Sequence, residues 1–374
     1  WGLDELLVYH FLVAEAFRFH DVPPAQFFAL PREQQAELVW RELFLAHSPV
    51  SEACRGVLTT LHRLGLDPRG QDLDALRAWF AEQEPATHVD RVLALANVRA
   101  VTMTNSPFDD AERPVWQTGF ARDPRFLAAL RIDPLLVAWP EAAARLYDWG
   151  YVSSGEPGAG TLDGVRRFLA DWTARTQPRY VMASVPPDWH YRDDSDLCRV
   201  LEEAVLPHCR DHGLPLALMM GVERGVNPAL RLAGDGAGRA DLASLRRLCA
   251  AQPGNRFLVT ALASENQHEL CVLARKFANL HPFGCWWFVN VPSLIEEITR
   301  LRLELLGLSF TPQHSDARVL EQLVYKWEHP RQILARVLTE QYTRLGAAGW
   351  WPTAKEVERD VQQLLGGAFE AFCG

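Results

Sequence analysis

After Asn97 the chain repeats one pattern, a strand-length apolar or β-branched run followed by an amphipathic helical segment, and few folds accommodate it. The runs are VRAVTMT, FLAALRI, RYVMASV, PLALMMGV, RFLVTALA, FGCWWFVN and LSFTPQHS. Helical periodicity follows most of them, in EAAARLYDWG and GVRRFLADWTART, DLCRVLEEAVLPHCRDHG, DLASLRRLCAA, QHELCVLARKFANL, SLIEEITRLRLELLG and ARVLEQLVYKW. Runs that are apolar throughout belong to strands covered on both faces, and parallel neighbours need crossover helices. An α/β fold follows. Seven such units are one short of a (β/α)8 TIM-type barrel, which puts the expected first strand just upstream of Trp1 and outside this chain. An open doubly wound sheet is the competitor, but neither GxGxxG nor GxxxxGK occurs to make its phosphate-binding turn. FLAALRI reads as strand or helix equally well.

The residues before this repeat are of another kind. DELLVYHFLVAEAFRF, EQQAELVWRELFLAH and EACRGVLTTLHRLGL each carry apolar residues at helical spacing, and DVPP, SPVS, DPRGQ and EPATH break them. The chain divides into a helical region, 1–97, a barrel, 98–345, and a C-terminal amphipathic segment, 346–374, expected to cover the barrel's exterior.

Composition narrows the partners. Of 374 residues 48% are hydrophobic and 23% charged, enough for a large core. Lys plus Arg number 38 against 47 Asp plus Glu, a net charge of −9 with no basic block, which argues against nucleic acid. No apolar run approaches the roughly 20 residues that span a bilayer, so no membrane partner is expected. Cysteines at 54, 198, 209, 249, 271, 285 and 373 form an odd set without a CxxC pair, as expected of free thiols in a reducing, cytoplasmic setting. Residue 1 is Trp rather than Met, so a leading segment is expected upstream.

In a barrel, catalytic groups project from the C-terminal ends of strands. Those positions hold Thr104 and Asn105, Arg131 and Asp133, Asp188, Trp189 and His190, Glu223, Arg224 and Asn227, Glu265 and Asn266, Trp287 and Asn290, and finally His314, Asp316 and Arg318. The last group is the most informative. Asp316 can bind a divalent cation through oxygen or simply cap the following helix, and Arg318 can clamp a carboxylate bidentately. Arg131, Arg224 and Arg318 point to an anionic substrate, or else pair with Asp133, Glu223 and Asp316 in a rim network. On a strand, Trp286 and Trp287 would face opposite sides, so one of them meets the pocket. LYDWGYVSSGEPGAG can be a lid or an ordinary loop. His208, His212, His268 and His281 read as caps or exposed helix faces. No HxH, HExxH or GxSxG occurs, so this chain alone supplies no complete His-rich metal site.

FGCWWFVN followed by QHSDARVLEQLVYKWEHPRQIL resembles the last two strands of uronate (glucuronate) isomerases, in the amidohydrolase superfamily, where a GWWF strand precedes a TDSRS-type strand end and a helix reading roughly RHEYFRRIL. DELLVYHF resembles that family's helix with an HY pair, ALRIDP its FRPD-type segment, and MMGVERGVNP its GALRNNN segment. The resemblance extends over the whole chain and is strongest in its last third. It implies a distorted (β/α)8 barrel with the helical region inserted after the first strand. It also implies a divalent metal, commonly zinc, held by an HxH of the first strand and by the Asp of the last, which makes Asp316 the one ligand visible here. Arg318, Arg131 and Arg224 become candidates for holding a uronate carboxylate and hydroxyls, with Trp287 and Asp188 as further substrate contacts, and His10 matches the family's pocket histidine. Phe11 stands where the family has a Tyr implicated in proton transfer. Tyr9 would lie about 100° around a continuous helix from its neighbour, and LALMM is apolar where the family is polar.

The expected function is aldose–ketose isomerisation of a hexuronate, D-glucuronate or D-galacturonate, to its 2-keto form. Asp316 would serve as base near the metal, His10 would shuttle a hydroxyl proton, and Arg318 would fix the carboxylate. The partner is then a small sugar acid, and the protein a homo-oligomer. Two alternatives share the barrel: a metal-dependent hydrolase or decarboxylase of a carboxylated substrate, and a barrel that has lost catalysis and binds or scaffolds instead.

Overall fold

The structure, a computed structural model, describes residues 1–69, 72–191 and 195–374, so the expected break at DPRGQ falls partly outside the described residues. Six parallel strands form one sheet in the order β1-β2-β3-β4-β7-β8: β1 (Val101–Asn105), β2 (Phe126–Arg131), β3 (Val181–Val185), β4 (Leu216–Met220), β7 (Phe257–Ala261) and β8 (Leu280–Pro282). A separate antiparallel ladder joins β5 (Val222–Glu223) to β6 (Gly236–Ala237). Thr311 continues the parallel sheet past β8 through a single bridge to Phe283. Among the described residues no strand pairs with the other edge of β1. FLAALRI is a strand, paired with both β1 and β3.

FGCWWFVN is not a strand. The chain leaves the sheet at Gly284, whose φ of +71° is foreign to extended backbone, and Trp287–Val289 form a 3-10 turn with Trp287 itself at φ +49°. Trp286 and Trp287 therefore do not take opposite faces. Both pack into the interior cluster, with ring centroids 5.8 Å apart.

Side chains alternate along each strand between two cores. Leu130, Val181, Ala183, Leu216, Leu218, Phe257 and Val259 point outward to the crossover helices. Ala129, Met182, Ala217, Met219 and Leu258 point inward and meet Phe283 and both tryptophans. The same alternation carries Arg131, Ser184 and Thr260 onto the inner face near the strands' C-terminal ends, and Arg131 donates to Ser184 there at 3.4 Å. The interior is therefore apolar below and polar at the mouth.

The N-terminal region packs a third core of its own, from Leu3, Leu7, Leu12, Phe27, Val39 and Leu61 among others, and Val319 joins it. DELLVYHFLVAEAFRF is two helices, Leu3–Leu7 and His10–Ala16, because Tyr9 is extended at ψ 140°. The C-terminal tail differs from expectation. Instead of lying along the outer helical layer, its last helix, Ala368–Cys373, sends Phe369, Phe372 and Cys373 into the interior cluster. Phe372 stacks on His281 of β8 at 4.8 Å, and Arg256, just before β7, donates to the Phe372 carbonyl at 2.6 Å. The tail thus stops the N-terminal end of the sheet, opposite the polar mouth.

LYDWGYVSSGEPGAG belongs to the outer layer. Tyr151 packs on Phe168 at 5.3 Å, Val152 is buried, and the Trp139 indole donates to the Gly155 carbonyl at 2.9 Å. His208 and His281 are buried rather than exposed, His208 against Thr173 at 2.8 Å. All seven cysteines are free and buried. No helix of the described residues is long and apolar enough to cross a membrane.

Candidate active site

Asp316 ends a braced loop. Thr311 exchanges backbone hydrogen bonds with Pro282 and Gly284, Gln313 donates to the Asn290 side chain at 2.8 Å, and Asn290 donates to the Ser315 carbonyl at 3.4 Å. His314 fills the space over Gly284 so completely that a β-carbon there would lie 1.8 Å from its ring. Only glycine fits under it. This brace holds Asp316 at φ +49°, a conformation non-glycine residues adopt sparingly and one that concentrates at functional sites. Asp316 does not cap the helix that follows, because that helix starts six residues on as Gln322–Ala347 with Glu321 at its cap.

Burial pushes the Asp316 carboxyl above the ordinary aspartate range, and Lys326, Arg318, the Trp286 side chain and the Trp287 backbone N–H all pull it back. Arg131 feels the same carboxylate and is clamped bidentately by Asp133, at 2.8 and 2.9 Å. His10 is buried, and both ring nitrogens lack a hydrogen-bond partner. Burial, with Arg318 and Lys326 nearby, lowers its pKa to about 3, so the imidazole is neutral at physiological pH. Its ring meets that of Trp287 edge-on at 5.4 Å and stacks on Phe11 at 4.8 Å. Arg224 lies 5.9 Å over the Trp287 ring and pairs with Asp235, not with Glu223.

His10, Asp316, Arg318, Arg131, Trp287 and Arg224 thus come together at one mouth. Asp188 does not join them by any contact and stands exposed on the loop after β3, with His190 turned to Asp241 at 3.1 Å. A cavity of about 420 Å3 opens beside the cluster, lined by Tyr9, His10, Arg318, Arg231, Phe28 and Gln35 among others. That is the size range of small-molecule sites.

Three groups in the cluster escaped the sequence. Tyr9 is buried with its hydroxyl unpartnered, and the Asp316 carboxylate raises its pKa further. It reaches the site because the helix breaks before His10, so the 100° offset of a continuous helix does not apply. Lys326 and Tyr325 are buried on the helix after Asp316, where a lysine in an amphipathic pattern reads as solvent-facing.

Comparison with solved structures separates the families that could own this mouth. A uronate isomerase from Bacillus halodurans C-125 superposes with a TM-score of 0.98 at 50% identity, over all of this chain and 89% of that one. The chain belongs to the uronate isomerase family. Two remoter members share the fold: a uronate isomerase from Thermotoga maritima, with TM-score 0.79 at 14% identity over 98% of this chain and 88% of that one, and a glucuronate isomerase from Caulobacter crescentus, with TM-score 0.60 at 16% identity over 75% and 66%. The six parallel strands with their crossover helices are this family's α/β barrel architecture. No family model and no curated protein matched the sequence.

Proposed function

We propose that this protein is an isomerase that interconverts a hexuronate and its 2-keto acid, acting on D-glucuronate or D-galacturonate. The observation that carries the reading is a neutral unpartnered imidazole and an unshared arginine charge lining one cavity, with a carboxylate of raised basicity in electrostatic reach of that arginine, within a chain half identical to a uronate isomerase.

Each part has a role in the reaction. Removal of the C2 proton moves its electron pair into a C1–C2 double bond and the carbonyl pair onto O1. Delivery of a proton to C1 and transfer of the O2 hydroxyl proton to O1 then give the ketone. Asp316 serves as the base, because burial makes its carboxylate more basic than an exposed one. His10 stays neutral and can accept from one hydroxyl while donating to another. Arg318, exposed on the cavity and without an ion pair among the described residues, takes the substrate carboxylate as a fork. Arg131, fixed by Asp133, and Arg224, over Trp287, extend the cationic wall toward the hydroxyls.

The metal implied by the resemblance fits these residues only in part. Asp316 offers one carboxylate, but among the described residues no group of three His, Cys, Asp or Glu side chains converges to hold an ion, and the charges facing Asp316 are cations. The test is NMR of D-glucuronate and D-galacturonate incubated with the protein in heavy water, with and without added zinc. The expected result is a 2-keto acid carrying deuterium. Absence of both product and exchange under all four conditions would overturn the reading, and labelled water oxygen entering the product would favour hydrolysis instead.

A further inference from the structure

Lys326 is a buried ammonium without a counter-ion in contact. Its exposure is 4%, and it makes no hydrogen bond or ion pair among the described residues. Its Nζ lies 6.0 Å from the centre of the Phe11 ring and 5.6 Å from that of Tyr325. Aromatic faces are poor substitutes for water, since a cation–π contact is worth about 0.5–2 kcal/mol while desolvating an ion costs several. The helix compounds the exposure of polar groups at this spot: Pro330, four residues on, has no N–H to give the Lys326 carbonyl. Two carboxylates, Asp316 and Glu52, favour the charged form against burial, and neither touches it. Asp316, His10 and His314 all register its charge.

A fold that needed only packing at position 326 would be served better by methionine. An unpaired cation over the ring that stacks on the neutral imidazole, and in electrostatic reach of the base, has one obvious use in this chemistry, which is to meet negative charge that appears only during turnover. In the isomerisation that charge gathers on O1 and O2 when the C2 proton leaves. Phe11, which stacks on His10 and lies between it and Lys326 in the ring series, has no hydroxyl with which to do the same.

We propose that Lys326 is a catalytic residue of this site, donating from its ammonium group to the enediolate oxygens formed between the aldehyde and the 2-keto acid. The inference rests on the isomerase reading. A charge held ready for the transition state raises kcat and leaves ground-state binding nearly untouched.

The experiment compares wild type, Lys326→Met and Lys326→Arg for turnover of the better hexuronate, solvent deuterium exchange at C2, and thermal melting. We expect Lys326→Met to lose about a hundredfold or more in kcat with KM within about threefold, to lose C2 exchange in step, and to melt no lower than wild type. Lys326→Arg should recover part of the rate. A rise in KM with kcat retained would assign the lysine to carboxylate binding and overturn the proposal. So would a lowered melting temperature in Lys326→Met, which would make the lysine structural, or full activity in that variant. No turnover by the wild type would overturn the isomerase reading, and this inference with it, whereas wild-type turnover unaffected by Lys326→Met would overturn the inference alone.

Discussion

Tyr9 shows how a single side chain can separate stability from activity. Its hydroxyl is buried without a partner, a condition that costs on the order of 1–3 kcal/mol. Tyr9→Phe is therefore expected to melt at the same temperature as wild type or higher, while turnover falls, and a lowered melting temperature would mean the hydroxyl is structurally paired. Arg318 behaves oppositely. Lysine keeps the charge but loses the fork, so Arg318→Lys should lower kcat/KM about ten- to a hundredfold, mostly through KM, as steady-state kinetics would reveal. Asp316, Arg318 and His10 were legible in the sequence because strand ends and a family motif mark them. The residue pattern does not reveal the break that turns Tyr9 toward them, since DELLVYHF carries apolar residues at continuous helical spacing, and nothing in it separates a buried lysine from a solvated one.

At the scale of elements, periodicity found the parallel strands where each was flanked by turn residues and long enough to alternate. It failed at FGCWWFVN, where aromatic and β-branched content imitates a strand but Gly284 and Trp287, both at positive φ, carry the backbone out of the ladder. The neighbouring run LSFTPQHS contributes only the Thr311 bridge, since Pro312 cannot donate to a partner. It also failed for the tail, because an amphipathic helix does not say which apolar surface it will cover. The tail's docking is testable through Phe372, which stacks on His281. Phe372→Ala should cost about 2–3 kcal/mol in urea unfolding while leaving KM unchanged, because the damage lies at the end of the barrel away from the mouth. A changed KM would show that the two ends communicate.

The whole molecule keeps several histidines neutral by burial. His10 and His314 are lowered to about 3, and His208 and His281 to about 4, with desolvation the leading cause for each. Unfolding returns them to about 6.5, so the unfolded chain binds more protons between that value and the folded ones. Stability must then rise with pH across this window and drain away as pH falls from about 6.5. Asp316 acts with the opposite sign, since its raised folded pKa favours the native state when protonated. Urea midpoints between pH 7 and pH 5, above the ordinary carboxylate range, should fall with acidification, and His281→Gln should flatten the slope. A midpoint independent of pH there would contradict the burial of these rings. The docked last helix has a final consequence, in time rather than in space. Because residues 368–373 form the floor beneath strands made long before them, a ribosome that has finished β8 still holds a vessel with no bottom, its inner methionines and phenylalanines open to water. Native assembly must wait until that helix has been made, and chaperones have the interval in which to find the gap.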